Sequence, residues 1–172
     1  MIKKQSTSIQ MIADFDGDIS TLLNTKVEGS IPILTTRNMV LFPGVITPIL
    51  IGRPASLNLV KKMQKNPKTT IAVFCQKNPD VETPRYDDLH STGVYARLIR
   101  VMDMPGDRSE VTVILQALGK CHLESLDGVK PYYKGTTTKI EEVMPDFKSK
   151  EFMSLMANLK STTVEYIKKN DD

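Results

Sequence analysis

Between Ile31 and Arg53 the chain reads I-P-I-L-T-T-R-N-M-V-L-F-P-G-V-I-T-P-I-L-I-G-R, two apolar runs around a short turn signal. Pro32, Pro43 and Pro48 each remove a backbone donor, so no helix can cross the segment. The β-branched and aliphatic residues around them favour extended backbone, so the pattern predicts a core-forming pair of strands. Phe42-Pro43-Gly44 supplies the turn, with Pro43 presetting φ and Gly44 free to take positive φ. Arg37-Asn38 is the strongly polar interruption. Arg37 is expected inside the fold, its stem packed and its fork on carbonyls or a carboxylate, with about 1–3 kcal/mol lost on its removal.

Beyond Arg53 the period changes. Pro54 at a first helical position, followed by Leu57, Leu59, Val60 and Met63, predicts an amphipathic helix ending near Asn66-Pro67. Thr70–Cys75 is a buried strand, and 76–90 a polar loop. Thr92–Met102 and Ser109–Leu118 form a hairpin across Met104-Pro105-Gly106-Asp107-Arg108. Gly119-Lys120 is expected to turn the chain into a strand over Cys121–Leu126, Asp127-Gly128 to turn it again, and Tyr132–Val143 to form the last strand. After Pro145 a helical stripe runs through Phe152, Leu155, Met156, Leu159, Thr163, Tyr166 and Ile167, within a helix over 147–169. The expected fold class is mainly β with α: an antiparallel, barrel-like β domain with one inserted helix, followed by a C-terminal amphipathic helix.

Composition changes this picture little. Residues 1–29 are polar and poor in aromatics, as in a flexible leader; 30–144 form the β domain and 145–172 the start of a helical extension. Asp14-Phe15-Asp16-Gly17-Asp18 is not a calcium loop, because Ile19 and Thr25 stand where glycine and glutamate are needed. Cys75 and Cys121 sit in apolar runs without metal-ligand spacing, so the reading is reduced thiols, no metal and a cytoplasmic protein. Lys and Arg number 23 against 20 for Asp and Glu, an excess too small and scattered to favour nucleic acid. No apolar run is long enough for a helical membrane span. His90 beside Asp87 and Asp88 is a loop histidine, and His122 a sheet-face residue; adjacency in sequence builds no triad.

The strand pair and the hairpin, taken together, resemble the N-terminal domain of the bacterial ATP-dependent protease Lon. The residues that carry the resemblance are Ile31–Leu34, Arg37–Gly44, Pro48 to Gly52-Arg53, Asp88-Leu89, Thr92-Gly93-Val94 and Met104–Asp107. It extends from Ile31 to about Lys169. Thr35-Thr36 departs from the family's proline-leucine. The resemblance implies a PUA-like β domain followed by helices, one that gathers unfolded or tagged substrates and supports a hexameric ring. In such a protease an ATP- and magnesium-dependent AAA+ module and a Ser-Lys proteolytic domain follow. This chain shows neither motif: its Gly119-Lys120 pair has Ile114 where a phosphate loop needs glycine, and no Ser-x-x-Lys spacing occurs.

The chain itself is therefore expected to be non-catalytic and without cofactors, to bind unfolded protein and to self-associate. Candidate contact residues are Met102, Met104 and Pro105 at the hairpin end and Phe152, Leu155, Met156, Leu159 and Tyr166 on the last helix; Arg37, Pro43, Gly44 and Gly93 are expected to be structural. A free-standing PUA-like RNA-binding protein is the alternative, and it would need a basic groove with stacking aromatics. A small hydrolase centred on Cys or His finds no support in the spacing.

Overall fold

The computed structural model describes residues 27, 29–103, 110–141, 143 and 145–170. The expected leader therefore falls, except for Val27 and Gly29, outside the described residues, as do the 14–18 segment and the hairpin tip at 104–109. The chain divides into two compact units, residues 1–141 and 142–172. The first holds β1 (Ser30–Thr36), β2 (Ile46–Ile51), α1 (Pro54–Lys65), β3 (Thr70–Cys75), β4 (Thr92–Asp103), β5 (Val111–Gly128) and β6 (Lys134–Lys139). The second contains α2 (Lys150–Asn170).

One sheet contains all six strands in the order β2-β5-β4-β3-β1-β6, and β6 also pairs with β5. Five strands thus close into a ring, with β2 added outside it. The closure depends on β5, 18 residues long. One edge of β5 pairs with β4 along most of its length. Its other edge takes β2 over Val111–Gln116 and β6 over Cys121–Gly128. Gly119-Lys120 is not the expected turn. Both residues lie inside β5, where the register to β4 shifts between Ala117 opposite Ala96 and Lys120 opposite Val94. The extra residue is a bulge, which bends a strand without ending it.

The two apolar runs between Ile31 and Arg53 form strands but do not pair with each other. β1 lies between β3, to which it is parallel, and β6, to which it is antiparallel; β2 pairs with β5. The sheet is therefore mixed, not wholly antiparallel. The chain leaves β1 at Asn38, whose φ is 52°, and turns again at Phe42, whose carbonyl accepts Val45 N–H at 3.2 Å. Gly44, at φ 82°, adopts the left-handed conformation that the Pro43-Gly44 turn requires. Two separate turns carry the chain away from β1 instead of folding it back as a hairpin.

The two faces of the curved sheet bury different cores. On one, α1 lays Leu59, Val60 and Met63 onto Leu34, Ile49, Ile51, Ile71, Val73, Val113 and Leu115. Each such side chain contributes about 1.5–3 kcal/mol. α1 begins at Pro54 and ends at Lys65 with Asn66 as its C-cap, as its sequence indicates, and carries Lys62 and Lys65 in the last turn. On the other face Ile33, Phe74, Tyr95, Cys121 and Leu123 fill the ring. The buried Tyr95 hydroxyl is satisfied by Thr137 Oγ1 at 3.0 Å. Strands approach closely where side chains are absent: a Cβ on Gly93 would lie 2.3 Å from Val73 O and 2.5 Å from Phe74 Cδ1.

Arg37 is not inside the fold. It is exposed, its Nη2 paired at 3.1 Å with Glu82 Oε1, an atom on a side chain itself 81% exposed. The arginine that packs and donates inward is Arg53. Its Nη1 donates to Gln76 Oε1 at 2.6 Å and its Nη2 to the Thr35 carbonyl at 2.9 Å. Gln76, 3% exposed, passes the connection to the Asn78 and Val81 carbonyls. Burial of Arg53, then the like charge of Arg37, lowers its pKa.

Three sets of stability outcomes follow from this packing, for Gly93, for the two arginines and for Cys121. Gly93→Ala should lower the urea midpoint, at unchanged slope, by an amount equivalent to about 3 kcal/mol, since backbone and a core ring block the new methyl. Arg37→Ala should cost less than about 1 kcal/mol, as exposed pairs do. Arg53→Ala should cost about 2–3 kcal/mol, because buried Gln76 loses a charged partner. Equal midpoints for the two arginine variants would contradict this assignment. The third outcome concerns pH: burial pushes the Cys121 thiol from 9.0 up to about 12. Folding therefore holds this proton, and the associated stability is full below pH 9 and is lost as pH rises through 12. The urea midpoint should fall across that window, with a shallower fall in Cys121→Ala.

Candidate protein-binding surface

The face of β2, β5 and β4 turned away from α1 is open. Alternation along each strand sends Ile49, Ile51, Val113 and Leu115 to the core under α1, and sends their neighbours outward. Register places Leu50 opposite Thr112 and Thr112 opposite Met102, so the three share one outward row. Pro48, Ile114 and Arg100 form the next row. Leu50 is 56% exposed, Met102 40%, and Ile99, in the bulged part of β4, 49%. A half-buried sheet normally turns polar residues outward, so large aliphatics on this row are informative. The β1–β2 connection also exposes Val40 and Phe42, and ends by joining Ala117 of β5 through Gly44 and Val45.

Of the residues singled out from sequence, Met102 lies on this open face. Met104 and Pro105 fall outside the described residues. The other five are on α2, which starts where Ser149 Oγ accepts the Phe152 N–H at 3.2 Å. Phe152 and Met156 are half-buried, and the Phe152 ring stands edge-on to Phe147 with centroids 5.1 Å apart. Leu155, Leu159 and Tyr166 are exposed, as are Met153, Val164 and Ile167. α2 therefore presents apolar side chains around more of its circumference than one stripe. Pro43 is exposed within the β1–β2 connection.

Sequence reasoning missed Leu50, Ile99, Val40 and Phe42. In Ile46–Ile51 five of six positions are apolar, so the period of two that would separate the faces is absent. The pairing partner alone decides which residues face outward.

The chemistry of the surface is that of contact. Among the described residues no group of three or more His, Cys, Asp or Glu side chains is placed to hold a metal. His90 is exposed, His122 sits on β5 opposite Thr92 and Thr138, and the raised pKa keeps Cys121 protonated at neutral pH. No helix among the described residues is long and apolar enough to cross a membrane.

Comparison with known proteins is consistent with this geometry. Residues 30–172 match the family model of the ATP-dependent protease La (LON) substrate-binding domain. The Lon protease of Parabacteroides distasonis is 41% identical over 154 residues, 90% of this chain and 18% of that protein. The Lon protease of Flavobacterium johnsoniae is 35% identical over 153 residues, 89% of this chain and again 18% of that protein. The chain thus spans under a fifth of the length of these curated relatives. In structure it resembles the N-terminal domain of a Mycobacterium avium complex Lon protease, with TM-score 0.63, 16% identity, and coverage of 83% of this chain and 70% of that one. A Lon N-terminal domain protein from Xanthomonas campestris matches at TM-score 0.51, 14% identity, and coverage of 70% and 68%. At these identities the two structures speak for the fold, and the fold agrees with the family model: this chain belongs to the substrate-binding domain family of the ATP-dependent protease Lon.

Proposed function

We propose that the chain is a non-catalytic, cofactor-free, cytoplasmic module that holds unfolded or damaged protein for an ATP-dependent Lon-type protease and supports its oligomeric assembly. The observation that carries the reading is the open face of β2, β5 and β4, where Leu50, Ile99 and Met102 stand exposed on a rigid sheet. Unfolded chains share exposed apolar side chains and little else, so a receptor for them needs adaptable apolar area without a convergent polar site. Methionine suits this, being unbranched and polarizable. Burying two or three such side chains yields several kcal/mol before the entropic cost of association. The expected result is weak, broad binding. Assembly is assigned to α2, whose Leu155, Leu159 and Ile167 offer apolar area to a second copy.

Two measurements test the two halves. Ile99→Glu with Met102→Glu should weaken binding of a reduced, carboxymethylated unfolded protein by roughly tenfold or more at an unchanged urea midpoint. Unchanged affinity would remove the open face from the reading. Sedimentation of the chain should show concentration-dependent dimers or higher species, reduced by Leu159→Glu; a pure monomer at high concentration would overturn the assembly role.

A further inference from the structure

Alongside β2 lies a cleft of about 430 Å³ that shares Leu50 with the open face and extends beyond it. Its walls are the end of β1 with Arg37 and Met39, the outer part of β2, and the start of α1 at Arg53 and Ser56. Four features of it are unexplained by folding alone. β2 pairs with β5 and with no other strand, so one of its edges is unpaired among the described residues. Pro48 within it is a residue that edges tolerate and interior strands do not. Arg53 is packed against neutral acceptors, Gln76 Oε1 and the Thr35 carbonyl, which leaves most of its five donors uncommitted. α1 starts beside it with no side-chain cap and no acidic residue in its first turn.

The fourth feature is Thr35, which lines the same cleft. It is 4% exposed, and its hydroxyl is the one buried side-chain oxygen or nitrogen, among the described residues, without a hydrogen-bond partner. Its neighbour Thr36 is satisfied by the Met39 carbonyl at 2.7 Å. An unpartnered buried hydroxyl costs stability, and this one, with almost no accessible surface, bears on the cleft only through the Thr35 carbonyl that Arg53 holds. Thr35 also stands in the pair where the sequence departs from the proline-leucine of the family it resembles.

We propose that this cleft captures the terminal carboxylate of an extended, apolar chain end. The carboxylate sits on Arg53 and the uncapped start of α1, and the residues before it run along the unpaired edge of β2. A free carboxylate accepts two parallel donations from a guanidinium, the geometry a half-buried arginine without a carboxylate partner offers. An extended chain adds to a sheet edge through main-chain hydrogen bonds whatever its sequence, with apolar Met39, Ile49 and Leu50 beneath its side chains. The charge fits one carboxylate better than a phosphate dianion. Arg37 is committed to Glu82 at 3.1 Å and Glu110 packs against Gly52 on the rim, so Arg53 is the lining cation that holds no carboxylate among the described residues. This inference rests on the substrate-binding reading above and narrows it to chain ends.

The test is fluorescence anisotropy of the full chain with a labelled, leucine-valine-rich peptide made twice, as free acid and as C-terminal amide. The acid should bind roughly tenfold more tightly at low salt, and added salt should narrow the difference. Arg53→Gln should abolish the discrimination. Because Arg53 also anchors Gln76, Glu110→Gln serves as a second variant that leaves Arg53 in place; removing the rim carboxylate should tighten the acid several-fold and leave the amide unchanged. Equal binding of acid and amide to the unaltered chain would overturn the proposal, as would competition by inorganic phosphate as effective as that by the free acid. Retained binding of a carboxymethylated unfolded protein, sensitive to Ile99→Glu and Met102→Glu, would then leave the broader reading intact. Loss of both would end both.

Discussion

The architecture rests on one strand being long enough to have two neighbours on the same edge. β5 accepts β2 along its first third and β6 along its last, while β4 covers the opposite edge. A shorter strand would produce an open sheet with two free edges, and each free edge is a template for unwanted pairing. The bulge at Gly119-Lys120 lets one strand serve both neighbours, bending it so that its second half faces the ring interior with Cys121 and Leu123. Gly93 on β4, opposite Cys121, lacks the side chain that would keep β3 and its Phe74 ring away. Ring closure, the two cores and the unpaired edge of β2 all descend from this arrangement.

Much of this was legible along the chain. Pro54 followed by Leu59, Val60 and Met63 specifies a helix through steric and periodic effects that need no distant partner, and α1 spans those residues. The two long β-branched runs on either side of 104–109 pair with each other, as strands adjacent in sequence commonly do. Where the sequence misled, the decisive partner was far away. Gly119-Lys120 has turn composition, yet the strand continues because Lys120–His122 still pair with β4 and β6 joins from Cys121 onward. Ile31–Leu34 and Ile46–Ile51 look like two arms of a hairpin, yet β1 is claimed by β3 and β6.

The same limit applies to the surface. Arg37 and Arg53 each close an apolar run, and sequence offers no way to rank them. The position of Gln76 beneath Arg53, and of exposed Glu82 beside Arg37, makes one a buried anchor and the other a surface pair. Met102 could be placed on the outward face once its register to Thr112 was known. Leu50 gains its significance only from the strand across from it.

The position of β1 also bears on how the domain comes into being. Its parallel partner β3 arrives after the whole of β2 and α1, and its antiparallel partner β6 lies still further on, with Ser30 facing Thr136. Contacts of such sequence separation close large loops before they return any energy, which slows folding. On the ribosome β1 emerges before either partner, its apolar Ile31, Ile33 and Leu34 without β3 until α1 has been made and without β6 until almost the entire domain has been synthesised. Pro32 within that waiting stretch and the charge of Arg37 just beyond it are residue types that restrain aggregation of an unpaired strand.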